Sequence, residues 1–293
     1  MLLLSLSLTV GFLCWWATAA LSAVVWLRLR RRVSALPSTS AADYLFMLQL
    51  LPLLVSSAVV ALFVVPGFVA WEPSHTAEKI SVWLAVPSLI SIAIFWRSLW
   101  VLWHELSRRP DIAPNIPFVA VLGCLRPMVL VTDAARILLN NEELAAVLRH
   151  ERTHINRRDN VRLLVSRLVA LLTFDLKPWR EMEEVRTRAA EFVADASAAD
   201  DEAGAFDLAQ ALVKMARSAS GSYRFASSFA SSRSVVEQRV LRLLNNPSSG
   251  AYSPSQWGIP LILGTLLCFA LLLALQPDVQ HFCYQSLEKL VSL

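Results

Sequence analysis

Hydrophobic and polar positions divide this chain into two kinds of region. Four blocks stay apolar for roughly the 20 residues that a helix needs to cross a hydrocarbon core. They run from about Leu2 to Leu27, Tyr44 to Ala70, Ile80 to Trp103 and Ile259 to Leu275, and within them only Arg97 carries a charge. Pro52, Pro66 and Pro87 fall in the second and third blocks. Membrane helices tolerate proline where neighbours satisfy the freed carbonyl. Between the third and fourth blocks the pattern changes. Phe118–Leu122 and Met128–Thr132 are short runs rich in β-branched residues, separated by Gly123 and Pro127, and predict a strand pair. Helical periodicity then predicts helices over about Asn140–Asn156, Asn160–Phe174, Trp179–Ala198, Phe206–Arg217 and Val235–Leu244. Residues 218–234, rich in Ser and Ala and containing Gly221, read as a flexible loop.

Charge orients the apolar blocks. The first begins uncharged and is followed by Arg28, Arg30, Arg31 and Arg32. A signal peptide has the opposite order, so this block reads as a retained span. Loops rich in Lys and Arg stay in the cytoplasm. The expected organisation is therefore a membrane part over residues 1–103 with three transmembrane helices, at about 2–27, 44–70 and 80–103. A cytoplasmic domain over 104–258 follows, then a fourth transmembrane helix over 259–275 and a short extracytoplasmic tail over 276–293. Arg97, between Trp96 and Trp100, is placed to snorkel to the inner headgroups.

Composition fits this plan. The chain of 293 residues is 56% hydrophobic, with a mean hydropathy of +0.51, above the usual level for a soluble domain. The lipid bilayer is thus an expected partner. The net charge of +4 comes without a basic patch interleaved with aromatics, so no direct nucleic-acid binding is expected. Cys14, Cys124, Cys268 and Cys283 form no C-x-x-C pair, which argues against a disulfide framework or a cysteine-based metal site.

The chemistry concentrates at His150-Glu151-Arg152-Thr153-His154, an H-E-x-x-H sequence. On a helix, positions i and i+4 share a face, so both imidazoles can reach one metal ion, and Glu151 beside them can act as a general base on metal-bound water. Asn140 and Glu143 give the helix a capping start. A catalytic zinc site usually has a third protein ligand. His75, His104 and His281 are poorly placed, so a carboxylate is expected. Glu181, Glu183, Glu184, Glu191 and Asp195 all lie on one predicted helix. Glu191 and Asp195 share a face among Ala189, Ala190, Val193, Ala194 and Ala198, whereas the three earlier acids sit among Arg and Lys and read as a solvated face.

Four motifs follow in order: Gly123-x-x-Arg126-Pro127-x-x-x-Val131, Glu142-Glu143-Leu144-x-x-Val147-Leu148-x-His150-Glu151, His154-x-x-Arg157-Arg158-Asp159 and Glu191-x-x-Ala194-Asp195. Together with the four-span plan they resemble the BlaR/MecR family of membrane zinc metallopeptidases, the antirepressor type. The resemblance implies an α+β, mainly α architecture, with a cytoplasmic zincin-type domain inserted between spans three and four. It implies one Zn2+ per chain, Glu191 as third ligand beside His150 and His154, Asp195 as the residue orienting a ligand histidine, and Glu151 as the catalytic base. It also implies a multi-pass protein of a bacterial inner membrane, acting on a protein substrate such as a cytoplasmic transcriptional repressor, with room for a homodimer and for self-processing in the 218–234 stretch. The 276–293 tail lacks the paired S-x-x-K and K-T-G motifs of an acylable sensor, so a relative without the penicillin-binding sensor domain is expected. The alternatives are a membrane quality-control zinc endopeptidase, similar to the heat-shock or CAAX-processing enzymes, and a non-catalytic zinc-binding membrane signalling protein. The edge of the Met128–Thr132 strand is a candidate platform for substrate, and Arg188 and Tyr223 are candidates to stabilise an oxyanion.

Overall fold

The computed structural model describes residues 2–33, 37–71, 81–107, 116–199, 201–220, 226–245 and 276–291. The expected fourth span at 259–275 lies outside them. The described part is mainly helical, and three of its helices are long and apolar enough to cross a membrane: Leu2–Val33, Ser38–Ala70 and Val82–Ser107. The first is α1 (Leu2–Val33). The second is built from α2 (Ser38–Val59), a π-turn over Val60–Val64, and α3 (Val65–Trp71). The widened turn has a local cause. Pro66 has no N–H to donate and crowds the preceding turn, and the backbone answers with a bond from Val65 N–H back to the Val60 carbonyl. The third apolar helix is α4 (Val82–Ser107).

Thr9 ties α1 to α4 in the apolar region. Its hydroxyl donates to the Leu84 carbonyl at 3.2 Å and lies 3.2 Å from the Ser88 hydroxyl. Where bulk water is excluded, polar side chains pair across helices in this way.

The strand pair forms as expected. β1 (Val119–Leu122) and β2 (Met128–Val131) run antiparallel, with Val121 opposite Val129. Gly123, at φ 88°, opens the turn, and a Cβ there would sit 2.8 Å from the Arg126 carbonyl oxygen. Five helices follow: α5 (Asp133–Leu138), α6 (Asn141–Arg157), α7 (Asp159–Leu172), α8 (Lys177–Ala198) and α9 (Glu202–Ser220). Next come α10 (Ala226–Asn245) and α11 (Pro277–Val291).

Two expectations need correction. Residues 226–234 are helical, as the start of α10, rather than loop. No Gly or Pro interrupts 226–245, so once the later half packs through Val240 and Leu243, the alanines and serines ahead of it can extend the same helix. The remainder of that expected loop, 221–225, lies outside the described residues. Glu181 and Glu183 also do not form a solvated face. Trp26 Nε1 donates to Glu181 at 3.3 Å, and Gln49 Nε2 donates to Glu183 at 3.2 Å.

Those contacts reflect how α7 and α8 sit. They form a hairpin that packs against the apolar helices and shares a core with them. Trp15, Trp26, Leu45 and Leu48 from α1 and α2 are buried with Val169, Trp179 and Met182 from the hairpin. At the hairpin turn Phe174 stacks on Trp16, with centroids 5.8 Å apart. Arg97 reaches the same turn, donating to the Leu171 carbonyl at 3.4 Å. A second core joins β1, α5, α6, α9 and α10 through Val119, Ala146, Val147, Leu208 and Leu243. α6 and α8 meet between the two cores, and the polar cluster described below lies at their meeting.

α11 packs against the far end of the second apolar helix, where Gly67 approaches the Gln280 backbone. Ser286-Leu287-Glu288-Lys289 in this helix has the S-x-x-K spacing, with no K-T-G in the tail beside it.

Candidate metal centre

The start of α6 is fixed by its sequence. Asn140 Oδ1 accepts from the Glu143 N–H at 2.7 Å, and Glu143 Oε2 accepts from the Asn140 N–H at 3.0 Å. Each side chain thus satisfies an end-of-helix N–H that would otherwise lack a partner. The end is fixed by Arg158, in the left-handed region at φ 54°. That conformation costs a non-glycine residue about 1 kcal/mol. It also turns the chain so that α7 begins at once and Asp159 folds back onto α6. Asp159 Oδ2 lies 2.8 Å from His154 Nδ1.

His150 and His154 share one face, as their spacing requires, with Nε2 atoms 3.2 Å apart. α8 supplies the third member. Glu191 Oε2 is 3.5 Å from His150 Nε2, and Glu191 Oε1 is 3.6 Å from His154 Nε2. These three residues could hold a metal ion. A tetrahedral zinc with bonds of about 2.0–2.2 Å leaves ligand atoms roughly 3.3–3.6 Å apart. The observed separations of 3.2, 3.5 and 3.6 Å, with a different Glu191 oxygen nearest each histidine, lie close to this range, and two imidazoles with one carboxylate form a donor set suited to zinc. The residues present therefore fit the ion.

Behind the triangle each imidazole has a carboxylate. Asp195 sits one turn after Glu191 on α8, buried, with Oδ1 3.0 Å from His150 Nδ1. It is also gripped by Arg239 of α10, whose Nε and Nη2 donate to its two oxygens at 2.8 and 2.6 Å. Arg239 Nη1 reaches Glu191 at 2.9 Å, and Nη2 lies 3.4 Å from His150 Nε2. The ionisation follows from this crowding. Burial opposes charge on His150, but the carboxylates of Asp195 and Glu191 outweigh it and place its pKa at about 9 in the metal-free arrangement. Burial would likewise raise Glu191 and Asp195, yet His150 and Arg239 hold both below the usual carboxylate range. Glu151 is different. Burial pushes it up against the pull of the two histidines, the direction that suits a proton acceptor near neutral pH.

Glu151 is half-buried on the wall of a cleft of about 390 Å³ that also exposes His150, His154, Glu191 and Arg239. Its Oε2 accepts the Val121 N–H at 3.1 Å. Asn160 Nδ2 donates to the Val121 and Gly123 carbonyls at 3.1 and 2.9 Å. The strand edge at the site is therefore that of β1. Val119, Ala120 and Val121 line the cleft, which corrects the expectation that Met128–Thr132 would hold substrate. β2 pairs with the opposite edge of β1 and so stands one strand further from α6.

Arg188 is exposed and does not line the cleft, and Tyr223 lies outside the described residues. The cation the sequence reading missed is Arg239. A faint signal existed: it is three residues before Arg242 but four after Val235 and four before Leu243, an arginine on an inward apolar stripe.

No curated protein and no solved structure matches the chain. Residues 120–219 match the model of Peptidase family M48, which supports a zinc metallopeptidase family for this region.

Proposed function

We propose that the chain is a membrane-anchored zinc endopeptidase in which His150, His154 and Glu191 hold the metal and Glu151 is the general base. The observation that carries this reading is the triangle of ligand atoms with Glu151 beside it in an open cleft. Zinc, when bound, supplies a polarised carbonyl and an acidified water. The chain's own residues do the rest. Glu151 Oε accepts the proton of the attacking water and passes it to the leaving amine. Val119 and Ala120 of β1 form the cleft wall against which a substrate segment lies, while the Val121 N–H and C=O are already bonded to Glu151 and Asn160. Arg239 keeps Asp195 and Glu191 ionised and places a guanidinium at the cleft wall, where negative charge develops on the substrate oxygen.

The finer reading is regulatory proteolysis of the antirepressor kind, with the domain in the cytoplasm of a bacterial inner membrane and a protein such as a repressor as substrate. The four motif strings support it, and the Arg28–Arg32 cluster supports the orientation. Quality control of membrane proteins is the rival role. The two differ in how many proteins are cut.

Replacing Glu151 by Gln tests both levels. Hydrolysis should fall by about a thousandfold or more while zinc content stays at the wild-type level. Comparing cleaved proteins between wild type and Glu151→Gln in the native host should then show one or a few differing substrates. Undiminished hydrolysis would remove Glu151 from its role, and dozens of differing substrates would favour quality control.

A further inference from the structure

The metal triangle is connected to the apolar helices by an unbroken run of charged side chains. Asp43 stands near the start of α2, in the first third of that helix. Its Oδ1 pairs with Arg157 Nη2 at 3.1 Å and with Arg162. Arg157 is the last residue of α6 and is buried. Its Nε faces Asp159 Oδ1 at 3.7 Å, an ion-pair distance beyond hydrogen-bond reach. Both of those atoms are buried without a hydrogen bond. The other oxygen of Asp159 holds His154 Nδ1 at 2.8 Å. A second run starts lower on the same helix. Gln49, buried, accepts from Ser166 at 2.9 Å and donates to Glu183 at 3.2 Å. Glu183 in turn receives both ends of the Arg186 guanidinium at 2.9 and 2.6 Å, and Arg186 lines the cleft.

We infer that α2 is a positioning element of the metal centre, with Asp43 setting His154 through Arg157 and Asp159. This rests on the zinc reading above. The physical argument lies in the loose joint. Asp159 can serve His154 fully only while Arg157 is drawn off toward Asp43. Without the Asp43 charge, Arg157 closes the 3.7 Å gap onto Asp159, a buried pair with a strong incentive to make proper hydrogen bonds. The carboxylate then shares its charge with the guanidinium, its grip on Nδ1–H weakens, and Nε2 becomes a poorer and less well aimed metal ligand. Any displacement of α2 along its axis shifts Asp43 and acts on the same joint. The membrane part can thus tune the site without touching it.

The test uses the full-length protein in detergent, stripped of metal and titrated with zinc against a chromophoric chelator. Asp43→Asn should lower zinc affinity about three- to tenfold, less than the 10- to 100-fold typical when a residue directly behind a ligand is lost. Asp43→Glu should restore most of it. Cobalt-loaded protein gives a second readout: its visible bands should change in intensity in Asp43→Asn and return in Asp43→Glu. A purely structural role would instead lower the melting temperature of the metal-free protein and leave the affinity and the cobalt bands of folded protein unchanged. That result would overturn the inference. Failure of the wild type to bind zinc in the same titration would instead overturn the metal reading itself.

Discussion

His150 and His154 stand one turn apart on α6, yet the polar surroundings behind them belong to different parts of the molecule. His150 is backed by Asp195 of α8 and Arg239 of α10, both largely buried. His154 is backed by Asp159, and behind that by Arg157 and Asp43, so its support ends on an apolar helix. Behind His150, Arg239 engages both oxygens of Asp195 with short hydrogen bonds. Each support has one contact that is not hydrogen-bonded: His150 Nδ1 to Asp195 Oδ1 at 3.0 Å in the first, and Arg157 Nε to Asp159 Oδ1 at 3.7 Å in the second. The contrast separates two duties that one metal site can carry. On the zinc reading, Asp195 is itself pinned by Arg239, whereas Asp159 is supported through contacts that a movement elsewhere can alter.

The largest effects should come from breaking the two supports separately. Asp195→Asn and Asp159→Asn should each weaken zinc binding by about 10- to 100-fold. They should differ in stability. Asp195→Asn weakens two short charge-assisted hydrogen bonds from Arg239, which keeps Glu191 as its ionic partner, and should cost about 3 kcal/mol in chemical unfolding of the metal-free protein. Asp159→Asn leaves Arg157 with Asp43 as partner and should cost about 1 kcal/mol. Equal losses would erase the distinction between a locked and an adjustable support.

How far the sequence discloses each support follows from the same contrast. The H-E-x-x-H face and the capping pair Asn140 and Glu143 are local, set by spacings of three and four residues, and both form in the folded chain. Glu191 and Asp195 are legible as two acids on a face of alanines. Arg239 is not, because it lies 44 residues after Asp195 and beyond a Ser-rich stretch with no periodicity. Asp43 is less legible still. Its partners Arg157 and Arg162 are more than 110 residues away, and beside an apolar block it looks like an ordinary end-of-span charge. The hairpin of α7 and α8 explains the misreading of Glu181 and Glu183: charge among charges looks solvated until a tryptophan and a glutamine from apolar helices are found facing it.

A small effect sharpens the comparison from the other side. Asn140→Ala removes the cap of α6 and should lower stability by about 1 kcal/mol. It should leave zinc affinity of the folded protein unchanged, since Asn140 touches neither support. A drop in affinity comparable to that of Asp159→Asn would mean that the site senses any loosening of α6, and the distinction between the two histidines would lose its meaning.

The metal centre itself is tested most directly by the zinc content of purified full-length protein in which His150, His154 and Glu191 are replaced by alanine one at a time, beside wild type and Glu151→Gln. Wild type and Glu151→Gln should carry one zinc per chain, the two histidine variants essentially none, and Glu191→Ala little. Stoichiometric zinc retained in both His150→Ala and His154→Ala would contradict the assignment of these residues as ligands.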